Sequence, residues 1–159
     1  LALRVERWSR NWKQEGSPYI PLSEYPRLSV CTTSNHDSST LIGLWNEQDF
    51  DKDLYWKHIG QSGKAPATLA AENVKPIIEN LFNSNSLLAI LPLQDFMALS
   101  QKFIPQDPDM DRVNIPGTVG AQNWSWRMPC LLEELLEEAE LNGSIEELAS
   151  VRRGRNLSP

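Results

Sequence analysis

The run Leu87-Leu88-Ala89-Ile90-Leu91-Pro92-Leu93 constrains the fold of this chain most. It is apolar at every position rather than at alternate ones. It lies between the turn-forming Asn83-Ser84-Asn85-Ser86 and the polar Gln94-Asp95. Continuous apolarity over so short a length is the pattern of a strand covered on both faces, as in a parallel sheet. Pro92 marks where that strand must leave the ladder. A helix-like segment, Phe96 to Leu99, follows. An earlier stretch repeats the plan. Leu28 and Val30 alternate beside β-branched Thr32 and Thr33, the segment stops on His36-Asp37, and a new apolar run begins at Leu41. Two units of strand, polar end and helix, separated by roughly a helical crossover, predict an α/β fold, either a barrel or a doubly wound sheet. Such folds keep their chemistry at polar strand ends. Asp37, Ser38 and Ser39 are also good helix N-caps, and the pattern alone leaves capping and chemistry level.

The remaining segments fill in that plan. Ala2 to Val5 is a further short strand. Arg4 to Lys13 alternates in charge and places Trp8 and Trp12 four residues apart, which predicts a helix covering the core. Gly16 to Pro26, with three prolines, is expected as an irregular surface loop. Helices are expected from Ser39 to Trp45, within Asp49 to Gly63, and from Ala67 to Phe82, where Pro76 predicts a kink or a split. His58 stands alone on a charged helix, the setting of a solvated histidine. Phe103 to Gln122 is a long loop punctuated by proline and glycine. Leu131 to Leu141 reads as an acidic helix ended by Asn142-Gly143, and Ser144 to Glu147 as the capping box of a last short helix.

Charge narrows the function classes. The chain of 159 residues carries a net charge of -6, which argues against a nucleic-acid surface. No apolar run is long enough for a membrane-spanning helix. Leu1 to Arg10 mixes four charges into its apolar residues, unlike a secretory leader. Cys31 and Cys130 stand far apart with no metal-type spacing, the usage of buried cytoplasmic thiols, although a disulfide stays open. A first residue other than Met suggests a piece of something longer. There is no phosphate-binding glycine loop, Cys/His cluster or nucleophile elbow. What stands out is a sugar-like vocabulary: planar amides and carboxylates at strand ends, and six tryptophans, any one of which is by itself expected in the core.

Five segments in order carry a resemblance. They are Tyr25-Pro26 leading to Ser29-Val30; Thr32 to Thr40 with Gly43-Leu44-Trp45; Ile90-Leu91-Pro92-Leu93-Gln94-Asp95; Arg112-Val113-Asn114-Ile115-Pro116-Gly117-Thr118; and Asn123-Trp124-Ser125-Trp126-Arg127. Together they resemble the C-terminal part of the 4-α-glucanotransferase family, also called amylomaltase or disproportionating enzyme. The likeness departs at Asn35, where the family usually has Thr, and at Ser38, where it often has Asp or Asn.

The resemblance implies the last three strands of a (β/α)8 TIM barrel with their helices, over residues 1–150, followed by a basic flexible tail over 151–159. It implies retaining transfer of α-1,4-glucan segments to glucose or a maltooligosaccharide acceptor, in the cytoplasm, with no cofactor or metal and no nucleic-acid or membrane partner. Asp37 would be the catalytic carboxylate that stabilises the transition state, and His36 and Asn114 would bind substrate. Gln94, Asp95 and the Trp-Ser-Trp-Arg segment would give support and packing. Nucleophile and acid/base would come from earlier strands, so the rest of the barrel is needed and this piece alone is expected to be inactive. The rival expectation is a glucan-binding or interaction module without catalysis.

Overall fold

The computed structural model describes residues 1–8, 10–11 and 13–153. Three short strands, β1 (Ala2–Val5), β2 (Ser29–Thr32) and β3 (Leu88–Ala89), form a parallel sheet in the order β1-β2-β3. Ala2 pairs with Ser29, and Val30 with both Leu3 and Leu88. Helices α1 (Leu41–Leu44), α2 (Lys52–His58) and α3 (Ala71–Phe82) separate β2 from β3, and α4 (Leu93–Met97), α5 (Leu132–Glu137) and α6 (Ala139–Arg153) follow. The α/β class and the parallel sheet agree with the pattern of the sequence.

Side chains alternate across a strand, so the register sorts the sheet into two faces. One face turns toward the helices. There Cys31 is buried beside the Ser84 hydroxyl at 3.1 Å, and the Ser29 and Ser86 hydroxyls meet at 2.7 Å. Against it α3 lays Val74, Ile77, Ile78 and Leu81, all sealed from solvent. The other face carries Leu3, Leu28, Leu88 and Ile90, which are 51%, 68%, 41% and 58% exposed. The run from Leu87 is therefore not covered on both sides: β3 is two residues long and ends the sheet, and Pro92 opens α4 instead of closing a strand.

Several other expectations change. After Val5 the chain turns rather than entering a helix, and Trp8 is exposed; Trp12 lies outside the described residues. The loop from Gly16 to Pro26 buries Tyr19, Leu22 and Tyr25 rather than floating on the surface. Pro76 neither splits nor ends α3, because the stripe from Val74 to Leu81 holds that helix against the core. α6 runs through Asn142-Gly143. The Asn142 side-chain amide donates to the carbonyls of Leu135 and Leu136 at 3.2 and 3.0 Å, so this residue closes the end of α5 from inside α6. Leu141 and Leu148, two turns apart on α6, are both buried. Arg152 donates to the carbonyls of Phe82 and Ser86, so the tail expected over 151–159 begins as anchored helix; 154–159 lie outside the described residues. Cys31 and Cys130 are free thiols. No helix among the described residues is long and apolar enough to cross a membrane.

Candidate functional site

The span 34–40 joins β2 to α1 and forms an arch. Asn35 folds it: its side-chain oxygen accepts the Asp37 N–H at 2.9 Å, and its own N–H donates to the Ser38 hydroxyl at 3.0 Å. These turns spend the backbone groups locally and push His36 and Asp37 outward. Thr40 caps α1, accepting the Gly43 N–H at 3.3 Å, so Asp37, Ser38 and Ser39 are not its caps. The Asp37 carboxylate is left to other partners.

Those partners come from far along the chain. The Asn114 side-chain amide donates to Asp37 Oδ1 at 2.7 Å, and His36 Nε2 stands 3.4 Å from Oδ2. The Asn114 N–H also donates to the His36 carbonyl at 3.1 Å, and Arg112 reaches the Asp37 carbonyl at 3.4 Å. The three residues singled out from the sequence thus meet in one place, and the His36 and Asp37 side chains are more than half exposed there. A cavity of about 200 Å³ beside them is lined by Ser34, Asn35, His36, Ser38, Gln94 and Asp111.

Trp124 completes the exposed group. Its ring is exposed and lies tilted with its centroid 5.1 Å from that of His36. Its φ of 61° is the one left-handed value among the described residues other than glycine, and a 2.7 Å bond from its N–H to the Val113 carbonyl holds it. The expectation of buried tryptophans holds for Trp45 and Trp56 and fails for Trp8 and Trp124. Trp126 instead donates its indole N–H to Asp111 at 3.0 Å, and burial raises the pKa of that carboxyl above the ordinary range. Asp111 also lines a larger hollow of about 700 Å³ with Phe103, Trp126, Arg127 and Cys130.

Gln94 and Asp95 sit in the first turn of α4 rather than at a strand end. Gln94 donates to the Asp111 carbonyl at 3.3 Å. Asp95 is fully buried under the arch, which fits support rather than contact with a ligand. His58 is half-buried, with Nε2 sealed and without a hydrogen-bond partner among the described residues and its ring 5.0 Å from that of Tyr19; burial lowers its pKa, so it is not the solvated histidine expected. Among the described residues no three His, Cys, Asp or Glu side chains converge as a metal ion would require. Sequence reasoning missed Asp111 and Arg7. Arg7 follows the end of β1 as His36 follows β2, so the same strand-end logic points to it.

The chain is similar to known proteins in sequence and in fold. Residues 1–133 match a family described as 4-alpha-glucanotransferase. The chain is 34% identical over 145 residues to a 4-alpha-glucanotransferase of Chlamydia trachomatis serovar D, covering 91% of this chain and 27% of the relative. It is 30% identical over 151 residues to the 4-alpha-glucanotransferase DPE2 of Oryza sativa subsp. japonica, covering 94% of this chain and 16% of that protein. An amylomaltase from Streptococcus agalactiae in complex with acarbose shares the fold at a TM-score of 0.68 and 19% identity, over 97% of this chain and 27% of that one. The chain therefore spans about a quarter of the length of the bacterial relatives it matches.

Proposed function

The chain belongs to the 4-alpha-glucanotransferase family, and from that premise we propose that it forms the C-terminal part of a (β/α)8 barrel in a longer enzyme moving α-1,4-glucan segments onto glucose or a maltooligosaccharide. Its three parallel strands, with helices on one face and bare leucines on the other, are what such a segment would present. The reaction is a retaining double displacement. It needs a nucleophilic carboxylate and a carboxylic acid about 5 Å apart, supplied by strands outside this segment. Asp37 supplies a further carboxylate. Its negative charge faces the glucose ring as positive charge grows at the anomeric carbon, and it is stabilising there more than in the ground state. His36 and Asn114 hold sugar hydroxyls beside it, and Asn114 fixes the direction of the carboxylate. No cofactor or metal enters this scheme, and it needs the rest of the barrel.

One observation carries this reading: an exposed His36-Asp37 pair whose carboxylate is oriented by Asn114 from a distant loop rather than tied to the amides of its own helix. In the longer enzyme, Asp37→Asn is expected to lower kcat for maltooligosaccharide transfer about 100- to 1000-fold, the cost of removing one preorganised charge. Its melting temperature should stay within a few degrees, because Asp37 is exposed. Near-normal turnover removes Asp37 from the mechanism. The exposed Trp124 beside His36 favours a second reading, a glucan-binding module without catalysis, since an aromatic face suits the apolar face of a sugar. Binding of maltoheptaose without transfer by the longer enzyme would select that reading.

A further inference from the structure

The arch bearing His36 and Asp37 touches the body of the protein at its two feet, and two buried charged side chains grip both. Arg7, from the end of β1, has a side chain only 6% exposed. Its Nε donates to the Thr33 carbonyl at 3.0 Å, Nη1 to the Ser39 hydroxyl at 2.8 Å and Nη2 to the Ser39 carbonyl at 2.7 Å. Asp95, from the first turn of α4, accepts the Thr33 and Ser34 hydroxyls at 2.5 and 3.0 Å and the Leu41 N–H at 2.8 Å. Thr33 is the joint: its carbonyl takes the cation and its hydroxyl gives to the anion. Ser39 is tied outward as well, its hydroxyl donating to Glu47 at 2.5 Å. Gly43 closes the packing behind the second foot, where a Cβ would stand 2.8 Å from Ser39 Cβ.

We infer that Arg7 and Asp95 are a pair of positioning residues that set where the arch presents His36 and Asp37. Neither reaches the exposed end, so both act through the arch. Among the described contacts no ion pair joins Arg7 directly to Asp95; the carboxylate nearest Arg7 is that of the half-exposed Glu47, 4.0 Å from Nη1. Burying charge is costly unless hydrogen bonds offset it, and here the hydrogen bonds of both groups fall on residues 33, 34, 39 and 41. A hydrophobic pair of the same volume would serve packing as well, but would leave the feet free to slide. The planar fork of arginine is what reaches Thr33 and Ser39 together, which a lysine ammonium does not do.

The sequence contains two histidines, His36 and His58, so the test has an internal reference. Imidazole resonances of the longer enzyme, with those of His36 and His58 assigned by single His→Gln variants, are compared for wild type, Arg7→Lys, Asp95→Asn, Ser39→Ala and a core substitution, Ile78→Val. The first two are expected to move the His36 signals and spare those of His58. Ser39→Ala, which removes one hydroxyl and keeps the fold, should move them less and in the same direction. Ile78→Val should lower the melting temperature without moving them. Unmoved His36 signals in folded Arg7→Lys and Ser39→Ala overturn the inference. A kinetic arm rests on the function proposed above. In the longer enzyme Arg7→Lys should lower kcat about 100-fold with KM little changed, the cost of a displacement near 1 Å. If the longer wild-type enzyme transfers no glucan, that reading falls, while a displaced His36 still supports the positioning role.

Discussion

Glu6 shows how much a single residue can depend on its surroundings. It follows β1, is almost wholly buried, and accepts the Asn80 amide at 2.9 Å, with the Tyr55 hydroxyl also interacting with its carboxyl. Burial pushes its carboxyl up to about 7, against opposition from Asn80, the Tyr55 hydroxyl and Arg7. Below the unfolded value of 4.5 the group is protonated in both states and costs nothing. Between 4.5 and about 7 the unfolded chain releases the proton while the folded chain keeps it, so stability falls by about 3 kcal/mol across that window and levels off above it. Glu6→Gln should therefore unfold at the same or higher urea concentration than wild type at pH 8, and its advantage should vanish by pH 4.5. Urea midpoints at half-unit pH intervals check this. A constant difference across the range would mean that Glu6 is not the group responsible.

At the scale of elements, two glycines of opposite meaning make a paired prediction. Gly43 sits in α1 against Ser39, where an added methyl group has no room. Gly143 sits inside α6 with open space where a Cβ would stand. Gly43→Ala should cost about 1–3 kcal/mol through overpacking. Gly143→Ala should add about 0.5–1 kcal/mol of helix stability. Thermal or urea unfolding of the two variants reads both signs. The same pair shows what was legible beforehand. Asn142-Gly143 reads as a helix end because those residue types end helices. What overrides them is tertiary: Leu141 and Leu148 pack inward, and the Asn142 amide serves the neighbouring helix. β1, β2, α1 and α2 were readable from local pattern, since their apolar spacing and polar ends agree. The Leu87 run was misjudged because its bareness depends on how many strands surround it. His36 and Asp37 stand out in the sequence as a polar strand end, with the role of Asp37 and the choice of Asn114 coming from family resemblance. Arg7 was within reach of the strand-end logic, whereas Asp111 stayed hidden because its meaning lies in contacts between distant segments.

For the whole molecule the bare face of the sheet matters most. Leu3, Leu28, Leu88 and Ile90 line one side, and the outer edges of β1 and β3 have no strand beside them among the described residues. Apolar surface joined to open strand edges favours association. The 159-residue chain alone should therefore self-associate in a concentration-dependent manner, and Leu28→Lys with Leu88→Lys should shift it toward monomer. Sedimentation velocity at several concentrations measures this; a wild-type chain that stays monomeric throughout contradicts it. The order of the strands has a kinetic consequence too. β2 must find Ala2 about 27 positions back and Leu88 about 58 positions ahead, so no rung of the ladder joins close neighbours in the sequence. Loop-closure entropy must be met before either pairing gives anything back, which places such a sheet among slow folders, on the scale of milliseconds to seconds. During synthesis the middle strand leaves the ribosome dozens of residues before its second partner, and the nascent chain must keep it from straying in the interval.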